Sequence, residues 1–309
     1  MRRVVVTGAS GMIGATLVRQ LVSAGIEVLA ITRPYSEKAV NLTVTALVKS
    51  IACDISELRN FPLSQVKGAY DTFFHFAWAG TYGTARDDVY LQHANIGYTL
   101  DAMGLAKKLG CTTFIGAGSQ AEYGPKAGIK LAPDLPAAPI TGYGIAKLDA
   151  GRLGRLYAEQ LGIRFMWARI LSVYGPMDNP YTLVMSTIRK LLAGSEVHFT
   201  KGEQQWDFLF SEDAALAFRL MAEKGKDGAV YCLGSGKTVS LADALTYLCH
   251  LVRPGCRVGL GDLPYPEKQV MYLCADIDTL QMDTGFSPET SLEEGIGKTI
   301  AWCKEMGKK

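Results

Sequence analysis

The sequence predicts an α/β protein built on a doubly wound parallel sheet, with a smaller lobe from the C-terminal part of the chain interleaved with it. Three observations predict this. Short β-branched runs alternate with amphipathic stretches through the first two-thirds of the chain, which is the pattern of β-α units feeding parallel strands. A glycine-rich turn follows the first of those runs directly. Beyond Gly175-Pro176 the alternation loosens into proline- and glycine-containing segments that read as a lobe over one side of the sheet.

In chain order, the apolar runs place strands at 4–7, 28–32, 48–52, 72–76, 113–117 and 165–171. The intervening stretch 12–24 is helical, since Ile13, Leu17 and Leu21 recur at four-residue spacing on one face. Stretches 95–109 and 144–161 read the same way, and 183–192, 241–252 and 292–303 supply the helices of the smaller lobe. Because parallel crossovers are right-handed, this order puts a ligand crevice at the carboxyl ends of the strands. The domain division is then 1–172, with 200–236 returning to it, against 173–199 and 237–309 for the substrate-binding lobe.

A chain of 309 residues with 48% hydrophobic positions buries a large core. A net charge of only +2, mixed along the sequence, excludes a nucleic-acid or anionic-membrane surface and favours a small-molecule partner. The start, MRRVVVTG, has no signal-peptide apolar region, and no run approaches the ~18 residues of a membrane helix. Seven scattered cysteines without a C-x-x-C pair read as reduced, mostly buried thiols with no metal role, in a cytoplasmic protein.

The first turn, Gly8-Ala9-Ser10-Gly11-Met12-Ile13-Gly14, lies between a strand and a helix. Glycines there let backbone N–H groups and the helix N-terminus approach a pyrophosphate, which makes this a Rossmann-type dinucleotide site. The second strand ends at Ile31-Thr32-Arg33, where an NAD-preferring site places a carboxylate for the ribose hydroxyls. Arg33 stands there instead and suits a 2′-phosphate, so NADP(H) is favoured, with NAD as the alternative.

The fifth strand runs into Ser119, and later come Tyr143 and Lys147, four apart on a helical stretch. Such spacing puts both side chains on one face. A lysine ammonium near a phenol pulls its pKa down from ~10, and a serine hydroxyl can hydrogen-bond the reacting oxygen, so the set suits proton transfer.

With these residues in this order the chain resembles the extended short-chain dehydrogenase/reductase family, the NAD-dependent epimerases/dehydratases that modify nucleotide sugars. The resemblance covers nearly the whole length. It includes Gly8-x-x-Gly11-x-x-Gly14, Cys53-Asp54-Ile55, His75-Phe76-Ala77-Trp78-Ala79-Gly80, Asn95 in a helix and Tyr143-x-x-x-Lys147. It continues with Arg169-Ile170-Leu171-Ser172-Val173-Tyr174-Gly175-Pro176, Asp207-Phe208-Leu209-Phe210-Ser211-Glu212-Asp213 and Gly285-Phe286-Ser287-Pro288. The resemblance implies that Tyr143 is the general acid/base, that Lys147 holds the nicotinamide ribose and that Ser119 orients the substrate oxygen. It further implies a cofactor lined by Gly8, Gly11, Met12, Ile13, Gly14, Asp54, Ile55, Ala77, Ala79, Asn95 and Ile170. Asp54 would meet the adenine amine, and Asn95 would have a structural or proton-relay role. It also implies a homodimer through the helices at 95–109 and 144–161.

Departures from the family pattern narrow the reaction. Dehydratases carry an acid where this chain has Ala121, preceded by Gln120; Glu122 is one residue out of register. The reading that follows is a 4-keto-6-deoxy sugar nucleotide reductase, with a nucleotide-sugar 4-epimerase as the alternative and a non-catalytic dinucleotide sensor as a different class. Gln120, Ser172 and Trp206 are the candidate substrate contacts beside Ser119. Ser172 and Trp206 stand where the family has asparagine and arginine for the substrate diphosphate. Tryptophan cannot pair with phosphate, which leaves Arg189 or Lys201 to do so. Trp206 then stacks on a ring or packs in the core.

Overall fold

The computed structural model describes residues 1–267 and 269–307. The chain opens with β1 (Arg3–Thr7), α1 (Met12–Ser23), β2 (Glu27–Thr32), β3 (Val48–Ala52), β4 (Thr72–His75), α2 (Val89–Lys108), β5 (Thr113–Ser119), α3 (Gly142–Leu161) and β6 (Arg164–Ile170). It then leaves the sheet through β7 (Val173–Tyr174), α4 (Leu183–Leu192), β8 (Gln205–Trp206) and β9 (Leu209–Phe210), and returns by α5 (Ser211–Lys224) and β10 (Val230–Leu233). The rest is β11 (Val239–Ser240), α6 (Leu241–Val252), β12 (Tyr272–Leu273), α7 (Asp278–Thr284) and α8 (Leu292–Met306).

Seven parallel strands form the main sheet in the order β10-β6-β5-β4-β1-β2-β3. From β1 the chain winds outward to β3, then recrosses β1 and winds the other way, so the order reverses between β1 and β4. Such a reversal opens a crevice at the strands' carboxyl ends.

Alternation along the strands decides which helix covers which face. Val4 and Val6 join Leu17, Val18 and Leu21 of α1 and Phe218 of α5 in one core layer. Val5 faces the other way, into a layer shared with Met103 of α2 and Ala150 of α3. On that second face Phe73, Phe114, Phe165 and Trp167 form a stacked column across β4, β5 and β6, with ring centroids 5.4, 6.1 and 6.1 Å apart. Both faces are covered, which is why the strands read as continuous apolar runs in the sequence.

The smaller lobe packs α4, α6 and α8 around Ile188, Leu245, Leu248, Ile296 and Ile300, with β8 pairing β11 and β12 beside it. Asp207 sews the lobe to the sheet. Its fully buried carboxylate accepts hydrogen bonds from the backbone N–H groups of Ser235, Gly236 and Ala275 at 2.6, 3.1 and 3.0 Å. Two of the differences from the sequence expectation have a visible cause. Helix α2 starts at Val89, six residues earlier than expected, because Asp88 caps it by accepting from the Leu91 N–H at 3.1 Å. Helix α7 falls on the sheet side, since Leu280 and Phe286 are buried in the α1/α5 layer. Among the described residues no helix is long and apolar enough to cross a membrane. All seven cysteines are free thiols, six of them buried.

Candidate active site

The glycine turn closes β1 onto α1. Gly8 sits at φ +66°, and a Cβ there would lie 2.8 Å from the backbone nitrogen of Ala77; a Cβ at Gly14 would lie 2.3 Å from the Gly8 carbonyl oxygen. Any side chain at either place would push the turn away from the sheet. Helix α1 has Gly11 at its N-cap, no side-chain cap and no acid in its first turn. Among the described residues no side chain accepts from its first N–H groups, and the helix dipole adds positive potential there. An anionic pyrophosphate fits this end of the crevice. Met12 and Ile13 flank it, half-buried.

At the end of β2, Arg33 is exposed and makes no ion pair among the described residues. Asp54, after β3, caps a short 3-10 turn, its Oδ1 accepting from the backbone and hydroxyl of Ser56 at 3.0 and 2.9 Å; Ile55 follows it in that turn. Ala77 and Ala79 leave the end of β4, half-buried. Asn95 is buried and its amide is committed to the backbone: Oδ1 accepts from the Ala79 N–H at 2.9 Å, and Nδ2 donates to the carbonyls of Ala79 and Leu91, both at 3.0 Å. These bonds tie Asn95 to the loop that carries Ala79.

Ser119 ends β5 beside Ile170, its register partner on β6. Thr141 starts α3 by accepting from the Gly144 N–H, and the helix sets Tyr143 and Lys147 one turn apart, Tyr143 near Ser119 and Lys147 on the Ala117 carbonyl. The Ser119 hydroxyl accepts from the Ala121 N–H at 3.2 Å and lies near enough to the Tyr143 phenol to pull its proton affinity down. Gln120 follows in a 3-10 turn that ends at Tyr123.

The electrostatics differ from expectation in one respect. Lys147 is not the cation nearest the phenol: its Nζ donates to the Ala117 carbonyl at 2.6 Å and sits 3.6 Å from the Trp78 ring centroid, against 5.7 Å from that of Tyr143. The cation nearest the phenol is Arg86, whose guanidinium carbon lies 4.2 Å from the ring centroid. Burial holds the Tyr143 phenol above its ordinary value, although Ser119 and Arg86 pull it down. Burial also brings the Lys147 amine down to about 7, with Glu122 opposing, and drops His75, behind it, to about 3. His75 is therefore neutral, hydrogen-bonded to the Thr7 hydroxyl at 2.8 Å.

Glu122 is turned away from the crevice, as its register suggested. Its carboxylate accepts from the Ser119 backbone N–H at 2.8 Å, the Trp167 indole at 2.9 Å and Arg169 Nε at 2.7 Å, with both members of the ion pair buried. It holds the backbone under Ser119 and leaves no free acid beside the serine.

A cavity of about 440 Å³ opens in the smaller lobe. Ser172 and Trp206 both line it, and they bond each other: the indole N–H donates to the Ser172 hydroxyl at 3.0 Å. His198, Phe199, Thr200 and Gln204 line it as well, as does Asp178. Burial raises the Asp178 carboxyl to about 6. Arg189 and Lys201 are exposed and do not line it, and no arginine or lysine does among the described residues. The sequence reading missed Trp78, Arg86 and the rest of this lining. Trp78 lay inside a motif already quoted; Arg86 and the rest of the lining carried no local signal.

A glycine-turn dinucleotide cradle and a Ser-Tyr-Lys set on the same rim of a doubly wound sheet define an oxidoreductase-type site. Residues 4–234 match the model of the NAD dependent epimerase/dehydratase family, and the chain belongs to that family as one of its enzymes. It is 29% identical over 303 residues to CDP-abequose synthase of Salmonella typhimurium, covering 96% of this chain and 97% of that protein. The fold is similar to MoeE5 in complex with UDP-glucuronic acid and NAD, at 27% identity and TM-score 0.83 over 98% of this chain and 99% of that one. It is also similar to the UDP-glucose 4-epimerase of Thermotoga maritima with UDP-glucose, at 24% identity and TM-score 0.88 over 98% and 99% of the two chains.

Proposed function

We propose that this chain reduces the keto group of a 4-keto-6-deoxy sugar nucleotide with NADPH. The observation that carries the reading is that Ser119 at the carboxyl edge of β5 meets Tyr143 and Lys147 of α3 there, Lys147 bonding the Ala117 carbonyl of the same strand and the Ser119 hydroxyl lying near the phenol. That edge shares its rim with the open N-terminus of α1. Bound there, the dinucleotide supplies or accepts the hydride. Ser119 and Tyr143 hold the sugar oxygen, and Tyr143 delivers a proton to it as general acid. Lys147 and the loop bearing Ala77 and Ala79 would hold the nicotinamide ribose, with Asp54 and Ile55 at the adenine. The burial of Glu122 against Arg169 speaks against dehydration, which needs a free acid beside Ser119. The nucleotide portion would lie in the cavity that Ser172 and Trp206 line, and the name of the Salmonella relative supports a nucleotide-linked sugar as the substrate class. A homodimer would bury Val89 and Tyr90 of α2 and Ile145, Leu153 and Leu156 of α3, all exposed in the single chain.

A 4-epimerase is the second reading, favoured by a neighbour that holds NAD together with a UDP-sugar acid. An epimerase regains its cofactor each turnover and can retain it; a reductase exchanges it. Release and identification of cofactor from purified protein separates the two: NADPH that washes off freely supports the reductase, and tightly held NAD⁺ the epimerase. Under the reductase reading Arg33→Ala weakens NADPH binding by on the order of tenfold and leaves NADH unchanged. An unaltered NADPH/NADH ratio would refute the NADP assignment.

A further inference from the structure

Tyr143 is gripped from two sides by the segment that follows β4. Trp78 presents itself edge-on to the phenol ring, with centroids 6.0 Å apart at 78°, and Arg86 places its guanidinium carbon 4.2 Å from the ring centroid. Both come from one built piece of structure. The buried Gln92 side chain of α2 accepts from the Trp78 indole at 2.9 Å and donates to the carbonyls of Gly80 and Ala85, both at 2.8 Å. Asp87 accepts from the Gly142 N–H at 2.9 Å, which docks the segment on the start of α3 beside the tyrosine. Arg86 itself is half-buried and donates to the Thr81 carbonyl at 3.3 Å. A guanidinium held over an aromatic face is attracted to its π-electrons, more so when partly desolvated, and more strongly still when the ring carries a phenolate.

We propose that Arg86 is a positioning residue for the proton-transfer step: it holds the Tyr143 ring beside Ser119 and, together with Lys147, supplies positive charge that favours the ionised phenol. The inference rests on the reading of Tyr143 as the general acid/base. Lys147 lies farther from the ring than Arg86, its amine on the Ala117 carbonyl and against the Trp78 ring. The other ionisable groups facing the phenol are Lys147 on α3 and Glu122 from the turn after β5, the latter opposing ionisation from within its pair with Arg169. Asp87, next to Arg86, is engaged with the Gly142 N–H. Removing Arg86 therefore takes away the nearer of the two cations that lie over the ring among the described residues.

The test is a proton titration of Tyr143 in the intact protein, with tyrosine labelled at Cζ with ¹³C and the resonance assigned by its loss in Tyr143→Phe. In Arg86→Gln the phenol should titrate about one pH unit higher than in the unaltered protein, with Arg86→Lys falling between. Turnover of the three proteins should fall in the same order, and its Tyr143-dependent limb should move with the titration. A Tyr143 titration unmoved in Arg86→Gln overturns the proposal and leaves the role of Tyr143 standing. Retention of full turnover by Tyr143→Phe overturns both.

Discussion

Lys147 is a buried amine whose proton affinity the fold has lowered from 10.5 to about 7. Below pH 7 the folded protein carries that charge in a desolvated place, and the full penalty is present. Between pH 7 and 10.5 the unfolded chain holds the proton and the folded one does not, so stability from this group rises with pH across that window. Lys147→Met should then stabilise the cofactor-free protein by roughly 1–3 kcal/mol below pH 7. The gain should fade toward pH 10. Urea unfolding at pH 6 and pH 9.5 checks this, and an equal gain at both would contradict it. The position of Lys147 relative to Tyr143 was legible from four-residue spacing, which places side chains on a helix face. Its partners were not, because Trp78 and Ala117 reach it from the ends of β4 and β5, and spacing along one helix says nothing about what faces it.

The unit β5–turn–β6 owes its rigidity to Glu122 and Arg169. Replacing one member of a buried, hydrogen-bonded ion pair strands the other charge, at a cost of about 3–5 kcal/mol. Glu122→Gln should therefore lower the urea-unfolding free energy by that amount. Glu212→Gln, which loses the exposed pair with Lys298, should cost less than about 1 kcal/mol. Similar losses from the two variants would refute the structural role of Glu122. The long strands and helices were readable because both sheet faces are buried and α1 carries a clean four-residue apolar stripe. The two-residue strands β7, β8, β9, β11 and β12 are too short to show any period, and only tertiary pairing makes them. The early start of α2 is a capping effect: Asp88 extends a helix through Val89 and Tyr90, whose exposed side chains give no periodic core signal.

At the scale of the molecule, the reversal of strand order between β1 and β4 brings the open end of α1 and the residues Ser119 and Tyr143 to one rim, and the smaller lobe adds its cavity, lined by Ser172 just after β6. The glycine turn and the Ser-Tyr-Lys set were legible because each needs particular residue types at fixed places. The cavity was not, because its wall gathers single residues from β8, α4, α6 and the segments between them. Ser172 and Trp206 were marked from the sequence as substrate contacts one by one, yet their mutual hydrogen bond appears only once β6 and β8 have docked. The account turns on proton delivery by Tyr143, and the most direct measurement compares Tyr143→Phe with the unaltered protein in NADPH-dependent reduction of a keto sugar nucleotide, alongside NADPH affinity. The account predicts turnover lower by roughly two to four orders of magnitude with affinity changed less than about twofold. Turnover that survives the substitution would contradict it.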